Sequence, residues 1–109
     1  MSSNPVCIEI LESAQEDLEN IALLHLTLVG PKSARRITNK ILNSLERLEK
    51  HPFSGPLIND PDLSEDGFRF VVAGTYISIY KLSEDKVIVY HIFDGRTNYP
   101  SLFKRNVTE

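Results

Sequence analysis

The sequence predicts an α+β domain: an N-terminal strand, an antiparallel two-helix hairpin, then a three-stranded antiparallel meander. Three observations carry this. Apolar residues recur at three- and four-residue steps from Ala14 to Leu48, broken once at Gly30-Pro31. Runs rich in β-branched and aromatic residues fill Phe68 to Phe93. Only short turns separate those runs, and strands joined so closely must be antiparallel neighbours.

Val6 to Leu11 reads as the first strand, with Ile8 and Ile10 on one face and Glu9 on the other. Cys7 is expected to be a buried residue of that strand. Ser13 precedes Glu16 by three positions, the spacing of a capping box, so a helix is predicted to start there. Its stripe of Leu18, Ile21, Ala22, His25, Leu28 and Val29, widened by Leu26, predicts a broad buried face. Leu23 and Leu24 fall outside the stripe and suit either incidental exposure, contact with the next helix, or a partner surface. Gly30 can close the first helix and Pro31 open the second. In the second helix Ala34, Ile37, Ile41, Leu45 and Leu48 form a narrower apolar line, with Arg35, Arg36 and Lys40 off it, until His51-Pro52 stops the helix. A Pro-, Gly- and Asp-rich loop from Phe53 to about Gly67 is the segment expected to be most mobile. Strands follow at Phe68–Ala73, Thr75–Leu82 and Lys86–Phe93, with turns at Gly74 and Ser83-Glu84-Asp85.

At 109 residues the chain has room for one domain, read as residues 1–109. Its 41% apolar and 25% charged composition is that of an ordinary globular chain. The stretch Ile21 to Val29 is too short and too polar to span a bilayer, and Met1 to Cys7 carries no export signal, which predicts a cytoplasmic protein without a membrane partner. One cysteine excludes an internal disulfide, and no Cys/His spacing suggests a metal site. A net charge of −3 leaves no general attraction to phosphate, so any nucleic-acid contact needs a local patch. Charge is segregated: Glu9, Glu12, Glu16, Asp17 and Glu19 come first, then Lys32, Arg35, Arg36, Lys40, Arg47 and Lys50.

Several wordings, in order, resemble a known family: Glu12 to Leu18 opening the first helix, Gly30-Pro31, and Leu48 to Gly55 with its His51-Pro52 and Ser54-Gly55. Phe68 to Phe70, Gly74 to Tyr76 with Ile79-Tyr80, Val89 to Arg96 and Asn98-Tyr99-Pro100 complete the set. Together they resemble the ParE/RelE toxin superfamily of type II toxin–antitoxin systems, nearer the ParE (plasmid stabilisation) branch. The resemblance implies a toxin neutralised in a hetero-oligomer by a cognate antitoxin, working without cofactor or metal. Family members either poison DNA gyrase, as ParE does, or cleave ribosome-bound mRNA, as RelE does.

Cleavage through a 2′-hydroxyl needs a base, cations for the developing phosphate charge, and a proton donor to the leaving oxygen. The resemblance places Arg69, Tyr76, Lys81, Arg96 and Tyr99 on one such surface, with His91 as a further candidate base. An arginine that RelE-like nucleases carry falls at Tyr76, and where ParE-like chains commonly read His-Gly-Arg-Arg-Asp this chain reads Asp94 to Asn98. Both departures make the site less positive and favour protein binding over phosphate chemistry. Arg69, Arg96 and Tyr99 are therefore the target-contact candidates; Leu23, Leu24, Arg35, Arg36 and Lys40 are those for the antitoxin. Each has a plainer alternative: Arg69 paired with the acids at Asp60, Asp62, Glu65 and Asp66, Arg96 paired with Asp94, and His91 a partly buried sheet residue. Val87, Val89 and His91 are expected on one face of their strand, opposite Ile88, Tyr90 and Ile92. A non-toxic, antitoxin-binding family member is the remaining class.

Overall fold

A computed structural model describes residues 6–107. In chain order it contains β1 (Cys7–Ile10), α1 (Glu12–Leu28), α2 (Pro31–Glu46) followed by a 3₁₀ turn at Arg47–Glu49, α3 (Pro61–Glu65), β2 (Arg69–Ala73), β3 (Tyr76–Ser83), β4 (Lys86–Asp94) and α4 (Tyr99–Val107). The strands form one sheet in the order β1-β4-β3-β2, with β2, β3 and β4 an antiparallel meander and β1 parallel to β4. The hairpin α1–α2 covers one face. Ala14, Ile21, Ile41, Leu45 and Leu48 pack there on Ala73, Tyr76, Tyr80, Val87, Val89 and Ile92.

The second face is covered by elements the sequence reading left as loop or tail. Asp60 caps α3 by accepting from the backbone N–H groups of Asp62 (3.1 Å) and Leu63 (3.2 Å), and Pro61 occupies the first turn. Ile58, Leu63 and Phe103 of α4 then bury against Phe68, Ile77 and Ile79. Phe103 meets Phe68 and Tyr90 edge-on at 5.0 and 5.9 Å.

β4 carries a bulge. Val89 pairs with Tyr80 but His91 pairs with Ile79, so Tyr90 has no partner opposite it. The extra residue reverses the alternation beyond it: Ile92, not His91, joins Val87 and Val89 on the hairpin face, correcting the expected face assignment. Because β1 ends at Ile10, the edge of β4 beyond Val89 would be bare. The start of α1 covers it: Leu11 N–H bonds to Val89 O (3.0 Å), Ser13 Oγ to Tyr90 O (2.6 Å), and Asp17 Oδ2 accepts from Ile92 N–H (2.9 Å). The predicted capping box is therefore absent. Leu11 is the N-cap residue, with a side chain that cannot accept a hydrogen bond, and the Ser13 hydroxyl is used on the sheet. Cys7 is exposed, because β1 is an edge strand whose outer face is uncovered.

Candidate functional site

The expected stripe on α1 ends earlier than its sequence implies. Ala14 and Ile21 are buried, but Leu23, Leu24, Leu28 and Val29 are 60%, 50%, 73% and 71% exposed, and Leu26 is exposed as well. The reason is a difference in length. Asp17 lies at Ile92, two residues before β4 ends, leaving about 7 Å of strand, whereas α1 runs on to Leu28 for about 16 Å. The last two turns overhang the sheet. His25 fixes the overhang by joining the hydroxyls of Ser33 at the start of α2 (3.1 Å) and Tyr76 on β3 (3.0 Å), so the exposed leucines sit on an anchored support.

Two adjoining open depressions lie at this end. One, of about 280 Å³, is lined by Asp17, Asn20, Ile21, Leu24, Tyr76, Ile92 and Asp94. The other, of about 190 Å³, is bounded by Leu24, His25, Leu28, Val29, Thr75, Tyr76 and Arg96. Leu24 and Tyr76 form the ridge between them. On the same hairpin, α1 holds four carboxylates and no Lys or Arg, while α2 holds Lys32, Arg35, Arg36 and Lys40 against one acid, Glu46. Arg35, Arg36 and Lys40 are exposed and make no salt bridge with the described residues.

Arg96 marks the rim. Its Nε donates to Asp94 Oδ1 (3.0 Å), its Nη2 to Asp94 Oδ2 (2.6 Å), and its backbone N–H to Oδ1 (2.9 Å). The side-chain bonds from Arg96, then its backbone N–H, lower the Asp94 pKa to about 2, and the carboxylate raises that of Arg96. The pair stays ionised across the neutral range, and the Arg96 side chain is 78% exposed. Burial raises the Tyr76 phenol, with Asp94 adding to the shift, so Tyr76 remains a neutral donor at neutral pH.

The candidate nuclease residues are not brought together. Arg69 lies on the hairpin side of β2, opposite Tyr80, where it donates to Gly55 O (2.7 Å) and covers the Phe53 ring at 5.0 Å. It forms no salt bridge with the acids at 60–66; Lys104 of α4 takes Asp60 (3.1 Å) and Asp62 (3.2 Å) instead. Tyr76 is buried on the hairpin side, not on a surface shared with Lys81. Lys81 lies on the other face over the Phe68 ring at 5.1 Å, and about five strand residues, roughly 16 Å, separate it from Tyr76. His91 Nδ1 donates to Asp17 (2.8 Å) while its ring stacks on Phe93. Tyr99 packs against Phe70. One base, two cations and two tyrosines thus occupy separate places, each engaged within the fold.

Sequence reasoning found Leu23, Leu24 and Arg96, with the Asp94 pair as the plainer alternative for Arg96, but placed Leu26, Leu28 and Val29 in the buried stripe and so missed them as parts of one surface. The available signal was length: a 17-residue helix fastened by its first turns to the last residues of a strand must overrun it. Among the described residues, no group of three or more His, Cys, Asp or Glu could hold a metal ion, and no helix is long and apolar enough to cross a membrane.

No curated protein matches the chain closely enough to count as a relative. The fold is similar to that in the chromosomal ParDE toxin–antitoxin system of P. aeruginosa, at a TM-score of 0.71 and 17% identity, covering 84% of this chain and 98% of that one. It is also similar to a chain of the RelBE2 toxin–antitoxin complex of Mycobacterium tuberculosis, at a TM-score of 0.60 and 17% identity, covering 83% and 98%. A sequence model described as the ParE toxin of the type II toxin–antitoxin system parDE matches residues 8–99, and the chain therefore belongs to the ParE toxin family.

Proposed function

We propose that this chain acts as a protein-directed toxin, with DNA gyrase as its target, and that a cognate antitoxin neutralises it by covering the open end of the hairpin. The observation that carries the reading is the contrast between dispersed nuclease candidates and an assembled docking surface. Anchored, exposed leucines beside unpaired cations on α2 offer an amphipathic acidic segment apolar contact and charge complementarity together. Arg96, held by Asp94 yet largely exposed, is the residue best placed to meet a target protein.

Phosphate chemistry has less support. Asp94 offsets the Arg96 charge, and Arg69, Lys81 and His91 are divided between two sheet faces. The test is induced expression of the chain alone, with growth, gyrase-linked DNA breaks and mRNA ends scored in the same cells. Arrest with DNA breaks supports the gyrase reading. Arrest with codon-phased mRNA cuts would replace it with a ribosome-dependent nuclease, and normal growth with folded protein would leave a non-toxic antitoxin-binding member.

A further inference from the structure

The solvent side of α2 carries a row of cations that the fold does not use. Lys32, Arg36, Lys40, Asn43 and Arg47 follow one another at steps of four, four, three and four residues, so they stack on one face of the helix. All five are exposed, and the four cations form no salt bridge with the described residues. Glu46, the one acid of α2, falls outside the row, as does Arg35. Lys40 lies by the β2–β3 turn, where a Cβ built on Gly74 would be 4.0 Å from its Nζ, and Arg47 borders the depression between α2 and β2. The row therefore follows the β2 side of the helix.

This arrangement works against the helix that holds it. Like charges four residues apart on a helix repel, as Lys32 repels Arg36 and Arg36 repels Lys40. Lys32 also lies in the first turn, at the positive end of the helix dipole, and that turn contains no acid to offset it. A surface that served solubility alone would intersperse the two signs. The row suits an anion from outside the chain. At 1.5 Å per residue its members lie at about 0, 6, 12, 16 and 22 Å along the axis. Each strand of duplex DNA presents a phosphate about every 3.4 Å, so alternate phosphates come at about 7 Å, nearly in step with one donor per helical turn. Asn43 continues the row as an uncharged donor, and Asn contacts phosphate as Lys and Arg do. A protein partner fits less well, since the row contains no apolar residue to anchor one. A flexible single strand also fits less well, because it must be ordered to match a rigid row.

We infer that this ridge of α2 is a binding site for the phosphate backbone of duplex DNA, independent of base sequence, in which Lys32, Arg36, Lys40 and Arg47 supply the charge and Asn43 a neutral hydrogen bond. The carboxylates of α1 repel the same anion, so an acidic chain meets DNA by this ridge. An acidic antitoxin segment draws on some of the same cations, which makes the bare toxin the form that holds DNA. The site goes beyond the proposed action on a protein, and its test uses neither gyrase nor antitoxin.

The test uses the full chain and a short fluorescein-labelled duplex of mixed sequence, with anisotropy read between about 50 and 200 mM KCl. Four contacts predict a slope of about −3.6 for log affinity against log salt concentration. Arg36→Gln/Lys40→Gln should reduce the magnitude of that slope by about 1.8 and weaken binding at least tenfold at about 50 mM. Lys86→Gln/Arg105→Gln removes the same charge from elsewhere on the surface and should leave affinity within threefold. All four positions are exposed, so circular dichroism should show both variants folded. No binding at about 50 mM, a slope shallower than about −2, or an equal loss in both variants would overturn the inference. Single-stranded RNA of the same length bound at least tenfold more tightly than the duplex would overturn it in favour of an RNA surface.

Discussion

The connection from Pro52 to Gly67 and the end of the α1–α2 hairpin reverse what their compositions suggest. The connection is polar, Pro- and Gly-rich and reads as the mobile part, yet it is stitched into the core. Tyr80 Oη donates to Pro52 O (2.7 Å) and accepts from Gly55 N–H (3.1 Å), Arg69 donates to Gly55 O, and Ile58 and Leu63 are buried. The hairpin end reads as an amphipathic stripe bound for the core, yet its last two turns are open to solvent. Burial follows from what lies opposite a residue, and composition does not report that. A loop with a buried tyrosine beneath it is held; a helix that overruns its strand is not.

This contrast should be visible in stability. Gly55→Ala is expected to cost the most, because a Cβ there would fall 2.3 Å from Phe70 O and 2.8 Å from Tyr80 Oη; backbone cannot yield as a flexible side chain does, and a loss of about 3 kcal/mol in urea unfolding is expected. Tyr80→Phe comes next. It strands Pro52 O and Gly55 N–H in a buried place, for about 1–3 kcal/mol. If either change left the unfolding midpoint unmoved, the loop would not be part of the core. By contrast, Leu24→Ser or Leu28→Ser should alter stability by no more than about 0.5 kcal/mol, as expected of exposed sites.

The smallest effect concerns the rim. Asp94 should titrate near pH 2 in the folded chain, and Arg96→Ala should return it towards 3.8. Since the folded value is depressed, the stabilisation it contributes is complete above the unfolded value and is lost as pH falls through about 2. Carboxylate NMR titration of the two proteins checks this. An Asp94 midpoint unchanged by Arg96→Ala would mean that the clasp does not hold in solution.

Much of the fold was legible because the hairpin and meander write their periods into the chain: Ile37, Ile41, Leu45 and Leu48 at helical steps, Ile77 and Ile79 at strand steps. Three things were not. The Tyr90 bulge shifts alternation by one residue without any Gly or Pro to announce it, which is why His91 and Ile92 exchanged faces. α3 and α4 are 5 and 9 residues long and owe their form to packing, with Leu63 and Phe103 as their buried anchors. The site was half legible: Leu23, Leu24 and Arg96 stood out as residue types, and the pairing of Arg96 with Asp94 two residues before it was the plainer alternative for Arg96, but that Tyr76 would turn inward to His25 depended on tertiary register.

The most direct test of the proposed antitoxin seat is the Leu24→Ser/Leu28→Ser variant expressed with and without a cognate antitoxin. Arrest by the variant alone, no longer relieved by the antitoxin, with affinity reduced at least tenfold and folding unchanged, is the predicted result. Full relief of arrest at unchanged affinity would contradict the assignment of the open hairpin end as the antitoxin's seat.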